Sequence, residues 1–304
     1  MRIANLTQAP FNCTMMGALR GALDYYGLSG SDAFLYGASG HAFVVNIHES
    51  LCPSGPYVWD RRRVAELLTN VGLRLEPLGF FHAGSTPEER AAAESRLRES
   101  LAAGIPCMLT NMEFQLITGT DDTGFLTAQP WACTDFPPRH LTFSTWDELG
   151  DGIHMDFHVL HRCEPAEPRK AVLDSLRYAV DVWRTPPADP GGHYGMGPRG
   201  YANWRGAVEA GHGTSHGSWW NGVVWAECRA RAADFLREVS ALMPVPDTAA
   251  GIADGYTEIA SALGRCAEKE LDAGTKLSLL TEAERREEAC VAAIETQLAA
   301  VGSS

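Results

Sequence analysis

The 304-residue chain is short of several features that would narrow its class at once. No apolar run approaches the roughly 20 residues that a membrane helix needs, and the opening MRIANLTQAPFNC lacks the charged-then-apolar layout of a signal peptide. These two absences point to a cytoplasmic protein that neither crosses nor binds a membrane. Lysine is scarce: only residues 170, 269 and 276 carry it. The formal charge is −13, with Lys and Arg together at 25 against 38 Asp and Glu. That balance opposes nucleic-acid binding, which relies on clustered cations facing phosphates. The eight cysteines, at 13, 52, 107, 133, 163, 228, 266 and 290, show neither pairing rhythm nor a CxxC motif. In a chain of this length they read as reduced thiols, not as a disulfide frame. There is no internal repeat and no low-complexity tract.

What is present is a mixed pattern that changes along the chain. Residues 13–26 carry Met16, Leu19, Leu23 and Tyr26 at helical spacing, with Asn12 as a cap and Gly27 as a stop. Residues 37–47, GASGHAFVVNI, read as a glycine turn entering a strand. Residues 61–70 and 86–103 read as helices, the second with Pro87 in its first turn. Residues 106–110 and 114–118 read as strands, and the turn GTDDTG at 119–124 makes 114–118 and 125–128 a hairpin. Residues 157–160 read as a closing strand. Beyond about residue 165 the pattern is nearly all helical, with helices expected over 171–183, 201–210, 219–243, 249–267 and 282–301. Two domains follow from this reading: an α/β (α+β) domain over 1–165 and an α-helical domain over 166–304.

The candidate chemistry centres on Cys13. A thiol at a helix N-terminus feels the positive end of the dipole and unpaired backbone N–H groups, which favour thiolate. Gln8, five residues upstream, is a candidate oxyanion donor. A cysteine in an apolar helix is equally a packing residue. The segments Asn12–Gly27 (NCTMMGALRGALDYYG) and Ser31–Phe43 (SDAFLYGASGHAF) resemble the N-terminal region of the butirosin-type acyltransferase family. More distantly they are similar to C39-like members of the papain-like cysteine peptidases. The family's strand–turn–strand is matched in shape by Glu113–Pro130. Over residues 8–130 the resemblance implies a papain-like core and thioester chemistry on acyl groups, by transfer to an amine or by hydrolysis.

The departures from that pattern shape the expected roles. Glu113 stands where the peptidases carry their basic histidine, and Gln129 stands where they carry the orienting Asp or Asn. A carboxylate with an ordinary pKa near ~4.3 is a weak base for a thiol, so Glu113 is expected to bind or deprotonate an amine, or else to pair with an arginine. His41, after Ser39-Gly40, is the candidate base and otherwise a structural histidine. Gln115, Gln129, Tyr201 and Trp204 are the candidate substrate-binding residues; Tyr201 and Trp204, three apart, also suit a core. His154, His158 and His161 would align for a metal only on a helix, and the apolar run 157–160 argues for a strand, so neither a metal nor a cofactor is expected. The glycine-rich stretch 211–222, with His212 and His216, reads as a loop. The expected activity is cysteine-dependent acyl transfer, forming or cleaving an amide on a small amine or aminoacyl substrate in bacterial specialised metabolism. The acyl donor is free, bound to a carrier protein or bound to coenzyme A, and the amphipathic 282–301 helix suits core packing or a homodimer face. The alternatives are a cyclase or dehydratase working through Glu113 without covalent catalysis, and a non-catalytic ligand-binding protein.

Overall fold

In the computed structural model, residues 1–131, 136–150 and 153–301 are described. Cys133 lies outside them. The helices are α1 (Thr14–Tyr25), α2 (Asp32–Ala38), α3 (Arg62–Leu67), α4 (Pro87–Ala102), α5 (Pro168–Arg184), α6 (Pro198–Glu209), α7 (His216–Glu238), α8 (Pro246–Cys266) and α9 (Ala273–Val301). The strands are β1 (Asn46–His48), β2 (Leu73–His82), β3 (Cys107–Asn111), β4 (Glu113–Thr120), β5 (Gly124–Thr127), β6 (His140–Thr142), β7 (His154–Arg162) and β8 (Tyr194–Met196). The fold is α+β, and among the described residues no helix is long and apolar enough to cross a membrane.

The chain divides into two compact units, each assembled from two segments. Unit 1 comprises Met1–Ser29 and Gly72–Pro165; unit 2 comprises Gly30–Val71 and Ala166–Ser304. The expected cut near 165 coincides with the last crossing between units. Residues 30–71, assigned from sequence to the first domain, belong instead with the helical unit. Sequence periodicity is blind to this, because α2 and α3 find their partners among helices more than 100 residues later, such as α5 and α7.

Unit 1 is built on a six-stranded antiparallel sheet in the order β2-β7-β3-β4-β5-β6. One face packs into a core of Phe81, Leu97, Leu101, Cys107, Leu109, Ile117, Phe125, Trp146, Met155, Phe157 and Val159. Helix α4 joins this layer through Leu97 and Leu101. Its start is fixed by a capping box, in which Thr86 accepts from the Glu89 N–H while Glu89 accepts from the Thr86 N–H. On the other face α1 lies against β4. Strand β7 is interior, between β2 and β3, and does not close the sheet as expected from 157–160. Strand β2 has no clean sequence signature because Pro77 and Gly79 interrupt it; a register shift between them absorbs both. At the surface of this sheet Glu76 takes a two-point contact from Arg96 (2.9 and 2.8 Å) and a contact from His161 Nε2 (2.6 Å). Arg96, then His161, hold its carboxyl down at about 2.

Unit 2 is helical around α7, which packs on α8 and α2, with a two-stranded β1-β8 ribbon. Helix α7 begins at His216, capped by Ser215 accepting from the Ser218 N–H (3.0 Å). The stretch expected as a loop is therefore a 3₁₀ turn (His212–Thr214) followed by the first turns of α7. In the centre of this unit Arg229 is fully buried. Its guanidinium donates to the Ala42 and Val44 carbonyls (2.8 and 2.7 Å) and pairs with Glu287 (2.6 Å). Tyr201 donates to the other Glu287 oxygen (2.6 Å), and burial, then the Glu287 charge, carries its hydroxyl well above the ordinary phenol range.

Candidate active site

In unit 1, Cys13 occupies the N-cap of α1 and makes no side-chain cap of its own. It is 5 % exposed. Its position is set by two glycines one turn apart on α1. A Cβ on Gly17 would lie 2.3 Å from the Ala9 carbonyl oxygen, and one on Gly21 would lie 1.9 Å from that of Thr7. Only glycine lets the 7–9 segment lie this close to the helix, and the Ala9 N–H accordingly donates to the Gly17 carbonyl (3.1 Å).

That segment carries Gln8 to β4. The β4–β5 ladder begins at Ile117; ahead of it, side chains from the α1 end take over the strand's backbone groups. The Gln8 amide donates from Nε2 to the Phe114 carbonyl (2.8 Å) and, more weakly, to that of Thr14 (3.4 Å), while its Oε1 accepts from the Leu116 N–H (2.9 Å). Both ends of the amide are thus spent on satisfying backbone that would otherwise be left unpaired. Gln8 is a clasp between the chain start and β4, and this corrects its expected role as the oxyanion donor.

Thr14, not singled out from the sequence, links the cysteine's helix to Glu113. Its Oγ1 accepts from the Phe114 N–H (3.0 Å) and donates to Glu113 Oε2 (2.6 Å). Glu113 is 5 % exposed at the head of β4. The structure therefore brings Cys13, Thr14, Gln8 and Glu113 together. No local sequence signal marks Thr14, because its partners lie about 100 residues further along the chain. Just before Glu113, Met112 forms the whole turn between β3 and β4, since Asn111 and Glu113 already face each other. It holds φ at 65° and is 61 % exposed.

The other candidates are placed elsewhere. Gln115 is 2 % exposed and alternates with Phe114 and Leu116, so it shares the α4-side face with Ile117. Its amide donates to the Ala128 and Pro138 carbonyls (2.7 and 2.8 Å), which is a structural use and corrects the substrate-binding expectation. Gln129 donates to the Pro137 carbonyl, and its Oε1 is buried without a hydrogen-bond partner. His154 and His158 lie on one face of β7 and His161 on the other, as the strand requires.

His41 belongs to unit 2. It does not head a strand but opens a 3₁₀ turn (His41–Phe43) after Gly40, whose φ is 79°. A Cβ on Gly40 would lie 2.4 Å from the Tyr178 ring. The imidazole is 1 % exposed, stacks on Trp225 (centroids 6.3 Å apart) and meets the edges of Trp59 and Tyr36. Its Nδ1 lies 3.6 Å from Cys228 Sγ. Nothing in the apolar α7 pattern marked Cys228 as a partner. Tyr201 and Trp204 are both 0 % exposed and lie in the helical core, which corrects their assignment to substrate binding. This unit also carries an open groove of about 530 Å³ between α8 and α9, lined by Asp254, Glu258, Arg285, Arg286 and Cys290, which none of the sequence candidates reaches.

The described cysteines are reduced. Burial pushes the Cys107, Cys266 and Cys290 thiols up to about 12, so these three resist alkylation at neutral pH. No protein-family model matches the chain, and no curated protein matches it. The site stands on its own geometry.

Proposed function

We propose that the protein is a cysteine-dependent acyl-transfer enzyme on a papain-like core, acting on a small amine or aminoacyl substrate, with Cys13 as nucleophile. The observation that carries this reading is the Cys13–Thr14–Glu113 arrangement. A thiol caps a helix, and the next side chain is hydrogen-bonded to a buried carboxylate on the adjoining strand.

In this scheme the Cys13 sulfur attacks an acyl thioester or amide, its proton passes to a base, and the leaving thiol or amine departs with a proton. The resulting acyl-thioester at Cys13 is resolved by an amine, forming an amide, or by water. Gln8 is committed to β4, so the negative oxygen of the tetrahedral intermediate falls to backbone N–H groups at the start of α1. Glu113 accepts a proton from the incoming ammonium or holds it by charge. His41 is the proposed base, as the sequence pattern led us to expect. The setting remains cytoplasmic specialised metabolism in a bacterium, with the acyl group free, carrier-bound or bound to coenzyme A.

Incubation with an acetyl thioester of N-acetylcysteamine, followed by intact-mass and peptide analysis, tests the reading. One acetyl group on Cys13, absent from Cys13→Ala and diminished in His41→Ala, is the expected result. A second reading, a non-catalytic ligand-binding protein, is favoured by the burial of Cys13 and by the engagement of Gln8. It predicts no acetylation and no reaction with iodoacetamide at that thiol. A cyclase or dehydratase working through Glu113 predicts alkylation of Cys13 without an acyl-enzyme.

A further inference from the structure

Three residues of α7, within little more than one helical turn, grip the turn that carries His41. Trp225 stacks its indole on the imidazole, with planes 23° apart, and Cys228 sets its sulfur 3.6 Å from Nδ1. Arg229 donates to the Ala42 and Val44 carbonyls just beyond the ring. The spacing 225, 228, 229 puts all three side chains on one face of the helix. The edges of Trp59 and Tyr36 also meet the imidazole, so its nitrogens point in fixed directions. Cys107, Cys266 and Cys290 aim their sulfurs at backbone carbonyls, as packed thiols do, whereas Cys228 faces a titratable ring. A neutral imidazole carries its proton on one nitrogen only, and the group beside that nitrogen decides which one it is.

We infer that Cys228 is the positioning residue for His41: its sulfur accepts a hydrogen bond from Nδ1–H, which makes Nε2 the nitrogen that takes up and returns a proton. This rests on the acyl-transfer reading, in which His41 is the base. A thiol then fills the orienting post for which Gln129 was the expectation; Gln129 instead donates to the Pro137 carbonyl. Sulfur is a weak acceptor, so it selects the tautomer without placing a carboxylate beside the ring. The base is aimed and not strengthened.

The test uses the full chain and reads both the ring and the reaction. Nitrogen NMR of the histidine rings, with His41 assigned by its loss in His41→Ala, is expected to show the neutral ring protonated at Nδ1 in the parent. In Cys228→Val that preference is expected to weaken. Acetylation of Cys13 by the acetyl thioester of N-acetylcysteamine is expected to slow about tenfold in Cys228→Val. That is far less than the ~10⁴-fold that losing a carboxylate orienter costs a serine protease, because the sulfur bond is weak. Cys228→Ser, whose hydroxyl oxygen still accepts, is expected to keep more of the rate than Cys228→Val. Packing alone predicts the reverse order, since valine matches the thiol in apolarity and serine does not. With His41 already replaced by Ala, Cys228→Val is expected to alter the residual rate by less than about twofold. A parent ring protonated at Nε2, or valine outpacing serine, overturns the inference and leaves the acyl-transfer reading standing. A parent that takes no acetyl group overturns the acyl-transfer reading and with it the part of Cys228 in the reaction.

Discussion

The two units bury charge by different means. In unit 1 neutral donors reach buried carboxylates: Glu113 receives the Thr14 hydroxyl, and Glu94 receives the Ser144 N–H (2.5 Å) and Trp146 Nε1 (3.0 Å) on one oxygen, with the half-exposed Arg98 guanidinium 3.7 Å from the other. Unit 2 sets a complete ion pair, Arg229–Glu287, in a fully buried position among aromatic side chains. The difference teaches what each site can tolerate. A carboxylate held by neutral donors keeps its bonds when replaced by a neutral isostere. An ion pair does not, because removing one charge strands the other.

The largest expected effect follows from that contrast. Glu287→Gln is expected to destabilise the protein by about 3–5 kcal/mol, read as a fall in the urea midpoint of the helical unit. Replacing both partners, Arg229→Met with Glu287→Leu, is expected to recover only part of the loss, because the Tyr201 hydroxyl and the Ala42 and Val44 carbonyls then lose their partners. If the single variant costs no more than the Glu94 variant below, the contrast is gone.

Next comes the packing that places Cys13. Gly21→Ala puts a methyl group against the Thr7 carbonyl, and a cost of about 1–3 kcal/mol is expected from the forced displacement. Because the 7–9 segment would lift from α1, acylation of Cys13 is expected to fall along with the melting temperature.

A smaller effect depends on pH. The Glu76 carboxyl is held at about 2, first by its bond to Arg96 and then by that to His161. A depressed carboxyl contributes stability above its unfolded pKa of ~4.3 and loses it as pH falls through the folded value. The pair is partly exposed, so its worth is about 1 kcal/mol or less. The difference in melting temperature between parent and Glu76→Gln is expected to be present at pH 7 and to vanish as pH falls from about 4 to 2. The smallest effect is expected for Glu94→Gln, about 0.5 kcal/mol, since the amide oxygen still accepts from Ser144 and Trp146 and the lost pairing with Arg98 is long and half-exposed. A loss above 2 kcal/mol would show that the charge itself matters there.

Local patterns in the sequence carried much of the architecture. The β4–β5 hairpin was legible from GTDDTG, and α5 and α8 from their apolar spacing. Strand β2 was not, because Pro77 and Gly79 mask its pattern and the ladder to β7 that rescues it lies about 80 residues away. At the candidate site, Cys13 and Glu113 were readable as residue types at the head of a helix and a strand. Thr14 was not, since its role depends on β4 lying beside α1. Gln8 and Gln115 were misread for the same reason: an amide looks alike in sequence whether it awaits a substrate or mends a gap in backbone pairing. His41 was read as a strand residue because Val44, Val45 and Ile47 follow it. The turn that places it is shaped by Arg229, almost 190 residues further on.

The interleaving of the two units has a practical consequence for dissecting the protein. At Gly72 a Cβ would lie 3.2 Å from Leu28 Cδ1 and 3.0 Å from the Pro165 ring, so the ends of the two unit 1 segments meet at one place. Residues 30–71 leave and return through that single doorway, as a guest sequence does. A gene truncated at codon 165 would encode a sheet burdened with an orphaned excursion, whereas one splicing codon 29 to codon 72 through a short linker would encode the sheet alone.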